Sequence, residues 1–219
     1  MTVPDGQRTE LSTRELLLDA AERLFADRGL HGVSLREIGL TAGQRNNGAT
    51  QYHFGSKEGL VLAVFERRSA RVNRRRLQLL DFALEEGRGE VRDLIEVFIW
   101  PLADEVAEGN FYVTFLDRLR TDGNSQILAS ASDPAVTSAY RRIGRLLRDG
   151  PLRHQSDAVF GNRWASVIDT GINRLARFQS PGVAEAPYRS ALSLDAFVTD
   201  LIDGLAGFLA APSRLESDH

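Results

Sequence analysis

The chain has 219 residues, 42% hydrophobic and 26% charged, with no cysteine and a net charge of −3. That size and balance suit one large or two small soluble domains. They exclude disulfides and thiolate metal sites, no apolar run is long enough to span a membrane, and the polar stretch Met1–Glu10 lacks a signal-peptide core, so a cytoplasmic location is expected.

Charge is uneven along the chain. Residues 1–80 hold 13 Lys plus Arg against 9 Asp plus Glu, whereas 81–219 hold 14 against 21. A basic head on an acidic body fits an anion-binding module joined to another unit, and equally a chance distribution.

Helical periodicity dominates. A first helix is expected from Ser12, which forms a capping box with Glu15. Leu16, Leu17, Ala20, Ala21, Leu24 and Phe25 follow at helical spacing, and Gly29 stops it. Ser34 and Glu37 open a second, short helix with Leu35 and Ile38 inward and Leu40 as a further inward candidate. Ala42-Gly43 breaks it. A third helix is expected over Asn47–Phe54, ended by Gly55, with Ser56 capping a long fourth helix from Lys57 to Leu84. Five more follow: Glu90–Ala107, which Pro101 is expected to kink; Phe111–Arg120; one from Asp133-Pro134 to Asp149; Asp157–Phe178; and Leu194–Ala210. Residues 180–192 read as a loop and the end after Pro212 as a loose tail.

Two short helices joined by a tight, glycine-bearing turn suit a helix-turn-helix, whose second helix enters the major groove. The candidate reader carries Asn46, Asn47, Thr50, Gln51, Tyr52 and His53. Asn and Gln pair bidentately with adenine, and Thr offers a methyl or a hydroxyl. Ser34 with its free helix-start N–H groups, and Arg36, Arg45 and Lys57, suit phosphate. On local physics alone, 43–56 reads equally as a polar connection between helices.

The run LLLDAAERLFADRGLHGVSLREIGLTAG followed by QYHFGSKEGL resembles the DNA-binding domain of the tetracycline-repressor (TetR) family. The resemblance covers about Thr13–Phe65. It rests on Ala-Ala-x-x-Leu-Phe in the first helix, Gly29 and Gly32, the Ser34–Ile38 opener, and Tyr52-His53-Phe54-x-x-Lys57-Glu58. It implies that Ser34 and Arg36 touch backbone or base, that Asn47, Thr50, Gln51, Tyr52 and His53 lie on the recognition stretch, that Phe54 seats that stretch, and that Lys57 grips phosphate. This chain is one residue longer than the usual spacing between Gly43 and Tyr52. The extra residue falls in Gln44–Gly48 and shifts the choice of base-reading residue by up to one position.

The implied architecture is all-α. A disordered tail (1–10) precedes a three-helix helix-turn-helix domain (11–56). A long helix joins this to a helical effector-binding and dimerisation domain (57–211), and a second tail covers 212–219. The stripe Phe160, Trp164, Val167, Ile168, Gly171, Ile172, Leu175 and its counterpart Phe197, Val198, Leu201, Ile202, Leu205, Phe208, Leu209 read by periodicity either as protomer core or as a dimer face. The resemblance favours the dimer, with Phe160, Ile168, Gly171, Ile172, Leu175, Phe197, Leu201, Leu205 and Phe208 as contacts. Phe98, Trp100, Phe111, Tyr112, Phe115, Tyr140 and Trp164 are the aromatic candidates for an effector pocket near Pro101, as much as for ordinary core.

The expected function is that of a homodimeric repressor, released from a palindromic double-stranded DNA operator by a small-molecule effector. No G-x-S-x-G, P-loop or H-E-x-x-H run and no metal-ligand spacing among the four histidines occurs, so no enzyme, metal or cofactor is expected. The rivals are a sequence-indifferent DNA binder and a family member that senses ligand without specific DNA binding.

Overall fold

The computed structural model describes residues 12–44, 48–122, 134–179 and 192–216. Among these the chain forms nine α-helices and no strand: α1 Thr13–Arg28, α2 Leu35–Thr41, α3 Ala49–Phe54, α4 Lys57–Glu85, α5 Val91–Ala107, α6 Tyr112–Thr121, α7 Pro134–Asp149, α8 Asp157–Gln179 and α9 Leu194–Ala210. A short 3-10 turn, Arg214–Glu216, follows α9.

Serine chemistry sets the helix starts. The hydroxyls of Ser12, Ser34, Ser56 and Ser193 each accept from the backbone N–H three residues on, satisfying one of the donors a helix start leaves free. At α5 the carboxylates of Glu90 and Asp93 cap reciprocally. The expected start of α3 at Asn47 lies outside the described residues, and the observed helix opens at Ala49. Helix α5 runs on through Pro101.

Helix α5 is the hub. It packs against α4, α6, α7, α8 and α9. Leu94, Ile95, Phe98, Ile99, Leu102 and Ala103 are all buried, the all-round apolar character expected of a central helix. Helix α1 docks on α4 and α6, where Phe25 meets Phe115 with ring centroids 6.3 Å apart. Gly29 ends α1 at φ +71°, and a Cβ there would meet the Asp122 carboxylate at 2.8 Å. Glycine is therefore required for the backbone conformation. One continuous apolar core results, from Leu17 to Leu209.

A buried carboxylate fastens α1 to both neighbours. Glu22 is 2% exposed. Its Oε2 accepts from Arg67 Nη2 at 3.1 Å and Arg68 Nε at 2.8 Å, and its Oε1 accepts from the Phe111 N–H at 3.2 Å. Arg67 also reaches Glu15 at 3.1 Å and Asp19 at 2.8 Å. Burial works against the Arg67 charge, but Asp19 and Glu22 outweigh it and hold its pKa above the usual value.

Arg76 of α4 is enclosed differently. Its Nε donates to the Phe98 carbonyl at 3.0 Å, and its guanidinium lies 4.2 Å from the centroid of the Phe98 ring. Among the described residues no carboxylate pairs with it. Burial lowers its pKa to about 10. Arg76 is partly exposed and keeps its contacts to Phe98, so Arg76→Met is expected to stabilise the fold by at most about 3 kcal/mol near neutral pH. Below pH 10 both folded and unfolded chains hold the proton, and folding bears the full cost of burying the charge. Above it the folded state releases a proton that the unfolded chain retains, so wild-type stability rises with pH relative to the variant. Urea denaturation of both proteins at pH 8 and pH 11 reads the narrowing difference.

Two groups of residues from the sequence reading are divided by the fold. Phe160, Gly171, Ile172, Leu175, Phe197 and Leu205 are buried within the protomer. Helix α5 already covers this stripe: a Cβ on Gly171 would strike Ile99 at 2.7 Å. What faces outward along α8 and α9 is half-buried Ile168 and Leu201, Gly204, Gly207, and Phe208 at 47% exposure. The aromatic candidates are spread over several parts of the fold. Phe98, Tyr112 and Phe115 are core, and the Tyr112 hydroxyl shares a 2.6 Å hydrogen bond with Ser69. Phe111 is largely exposed at the start of α6. Trp100 lines a groove with Leu79 and Phe82, while Tyr140 and Trp164 line another between α7 and α8.

Candidate nucleic-acid interface

Helices α1, α2 and α3 form a compact unit in which the interior of α2 and α3 is locked before any outer face is considered. Ile38 is fully buried. Thr50, expected on the reading face, is only 1% exposed. Its hydroxyl donates to the Leu35 carbonyl at 3.2 Å, and a Cβ on Gly39 would stand 3.3 Å from it. Thr50 is thus a tie between α2 and α3, its small side chain filling the crossing. Thr50→Val keeps the shape and loses the donor, so it is expected to cost about 1 kcal/mol in urea denaturation.

The outer face of α3 is polar and open. Gln51, Tyr52 and His53 are exposed, Tyr52 at 86%. The Tyr52 and His53 rings meet edge to face with centroids 5.3 Å apart. Nothing in the fold uses these side chains as core. Phe54, one residue on, turns inward as expected and packs half-buried against the core. The Arg14 guanidinium sits 5.4 Å from its ring centroid.

Positive charge and helix starts flank that face. Lys57 is the first residue of α4, next to the Ser56 cap. Arg36 is exposed in the first turn of α2. Ser34 spends its side-chain acceptor on the Glu37 N–H at 3.2 Å, leaving its hydroxyl proton to donate outward. Glu37 in turn pairs with Arg28 at the end of α1. Arg45, Asn46 and Asn47 lie outside the described residues.

Two features of the surface escaped the sequence reading. Leu40, a candidate for the inward face, is 58% exposed at the end of α2. Arg14 reads from sequence as an unremarkable first-turn residue, and its place over Phe54 depends on the α1–α3 packing.

The arrangement offers amide, phenol and imidazole groups to base edges from one short helix, with cations and free hydroxyls at its rim for phosphate. Among the described residues no group of His, Asp and Glu is arranged to hold a metal, and no helix is long and apolar enough to cross a membrane.

Residues 17–64 match the sequence model described as "Bacterial regulatory proteins, tetR family". The chain is similar to the HTH-type transcriptional repressor AcnR of Corynebacterium diphtheriae, 38% identical over 183 residues, covering 80% of this chain and 87% of that one. It is similar to the HTH-type transcriptional repressor NemR of Escherichia coli, 37% identical over 152 residues, with coverages of 68% and 74%. In fold it resembles a HlyIIR mutant protein (TM-score 0.58, 19% identity, 91% of this chain and 98% of that one). It also resembles the regulator PfmR of Thermus thermophilus (TM-score 0.56, 17% identity, 90% and 99%).

Proposed function

The chain belongs to the tetR family of bacterial regulatory proteins, and from that premise we propose how it works as a DNA-binding transcriptional repressor: a homodimer that holds a palindromic operator and lets go when a small molecule binds its body. The observation that carries this reading is the division of labour on α3. Thr50 and Phe54 face inward, while Gln51, Tyr52 and His53 stand free beside Lys57. A helix held rigidly by its own domain, with an unspent polar face, is what direct readout of a major groove requires.

One six-residue helix reaches only a few base pairs, so two copies are needed for specificity. The outward face of α8 and α9, with Ile168, Leu201 and Phe208 beside Gly204 and Gly207, supports pairing by a two-fold axis, since the glycines permit close helix approach. The two reading helices would then enter successive major grooves roughly 34–36 Å apart. Release requires an effector that binds better to the state whose helix spacing no longer matches. Helix α4 is the element both ends share, since it packs on α1 and α3 at one end and on α5 and α7 at the other.

The test is selection from random duplexes on the purified protein at moderate salt. A palindromic motif is the expected product. A folded dimer that enriches nothing would overturn the reading.

A further inference from the structure

We propose that the groove between α7 and α8 is a binding site for a planar aromatic carboxylate, and that it is the effector site of the repressor; this second clause rests on the function proposed above. The groove has a volume of about 590 Å3, within the range of small-molecule sites. Its walls are of two kinds. Tyr140, Phe160 and Trp164 supply aromatic surface, and Arg141, Arg145 and Arg148 supply guanidinium groups. No carboxylate lines it, although the body of the protein is acidic.

The charge arrangement is poor for stability alone. The three arginines follow one another at helical spacings of four and three residues, so they share a face of α7 and repel. Arg148 is relieved by Asp157, with Nε 2.6 Å from the carboxylate. Arg141 and Arg145 have no ion pair among the described residues. Both are exposed, so neither is spent on core packing. Two guanidiniums one turn apart suit a carboxylate, whose two oxygens accept their paired N–H groups.

The aromatic wall is also held in place by α7. Gly144 sits between Arg141 and Arg145 on α7, and a Cβ there would stand 3.2 Å from Trp164 Nε1. Glycine inside a helix is a net cost to that helix, and here it lets the Trp164 indole pack close against α7, which fixes the ring in the groove wall. An aromatic ring seated on Trp164 and Tyr140 brings its carboxylate to Arg141 and Arg145. Trp164 carries the site inward. Its ring meets Phe98 with centroids 5.2 Å apart, and Phe98 holds Arg76 of α4 through both ring and carbonyl. The groove therefore touches, through two aromatic side chains, the helix that begins at Lys57.

The probe pair is 1-naphthoate and its neutral isostere 1-naphthamide, titrated into the full-length dimer by calorimetry at fixed salt. The acid is expected to bind at least tenfold tighter than the amide. The double variant Arg141→Ala with Arg145→Ala, both at exposed positions, is expected to abolish that ratio. The protein has two tryptophans, so Trp100→Phe assigns their indole N–H resonances, and naphthoate is expected to shift that of Trp164. Equal binding of acid and amide, an unchanged ratio in the double variant, a shift confined to Trp100, or no binding at 1 mM would each overturn the proposal. Failure here is distinguishable from failure of the repressor reading. A protein that selects a palindrome but ignores naphthoate remains a repressor with its effector elsewhere. One that selects no DNA is no repressor, whatever its groove binds.

Discussion

Glu22→Ala is expected to destabilise the protein by about 3 kcal/mol, the low end of what breaking a buried ion pair costs. The low end applies because the Arg67 and Arg68 side chains, at 21% and 22% exposure, keep some water, whereas Glu22 does not. Arg67 retains Glu15 and Asp19 after the change. Arg68 and the Phe111 N–H lose the acceptor they have. Against a typical total of about 5–15 kcal/mol, this is a large fraction. Glu22→Gln keeps one acceptor for the Phe111 N–H and is expected to cost less than the alanine. Urea denaturation followed by circular dichroism and tryptophan fluorescence reads both. A loss below 1 kcal/mol for the alanine variant would show that solvent already satisfies the arginines. The Glu22 network joins α1, α4 and the start of α6 at one carboxylate, so its loss should also loosen the reading domain against the body.

Gln51→Ala is expected to weaken operator binding by about 1–3 kcal/mol per half-site. In a two-fold complex that amounts to roughly 30-fold to 20000-fold in all, with relaxed preference at one position in each half. Lys57→Ala contrasts with it. A lost phosphate contact lowers affinity for all duplexes alike and reduces the slope of log affinity against log salt by about one per subunit. Binding measured for both variants on matched and mismatched duplexes across a salt series separates the two roles. If Gln51→Ala weakened every sequence equally, the base-reading assignment would move to Tyr52 or His53.

The helix ends were legible because they are written in local chemistry. A serine before an apolar period and a glycine after it act within one turn, which is why Thr13–Arg28 follows directly from Ser12 and Gly29. Helix α3 was legible only as a stretch, without its inward and outward faces. Thr50 is polar and stands at the head of the polar run Gln51–His53, so its type alone does not distinguish it from Gln51. Its burial comes from a carbonyl fifteen positions earlier, at Leu35. The α8 and α9 stripes stayed ambiguous in the sequence for a related reason. Periodicity finds the face a helix buries but not the partner that buries it, and here α5 of the same protomer claims Gly171 and Leu205. The aromatic group was dispersed because each ring answers to its own helix register: Phe98 faces the core, while Trp100, two residues on, faces a different groove.

Lys57 is the sole lysine among 219 residues, and it opens the helix that flanks the reading face. Apart from the terminal amine, this protein therefore presents amine-directed reagents with a single address. Acylation of the ε-amino group would erase the one positive charge at that helix start and leave every arginine untouched. Duplex bound over the face would shield it. Lysine modification here is at once a one-site footprint of DNA occupancy and a covalent route to switching that contact off.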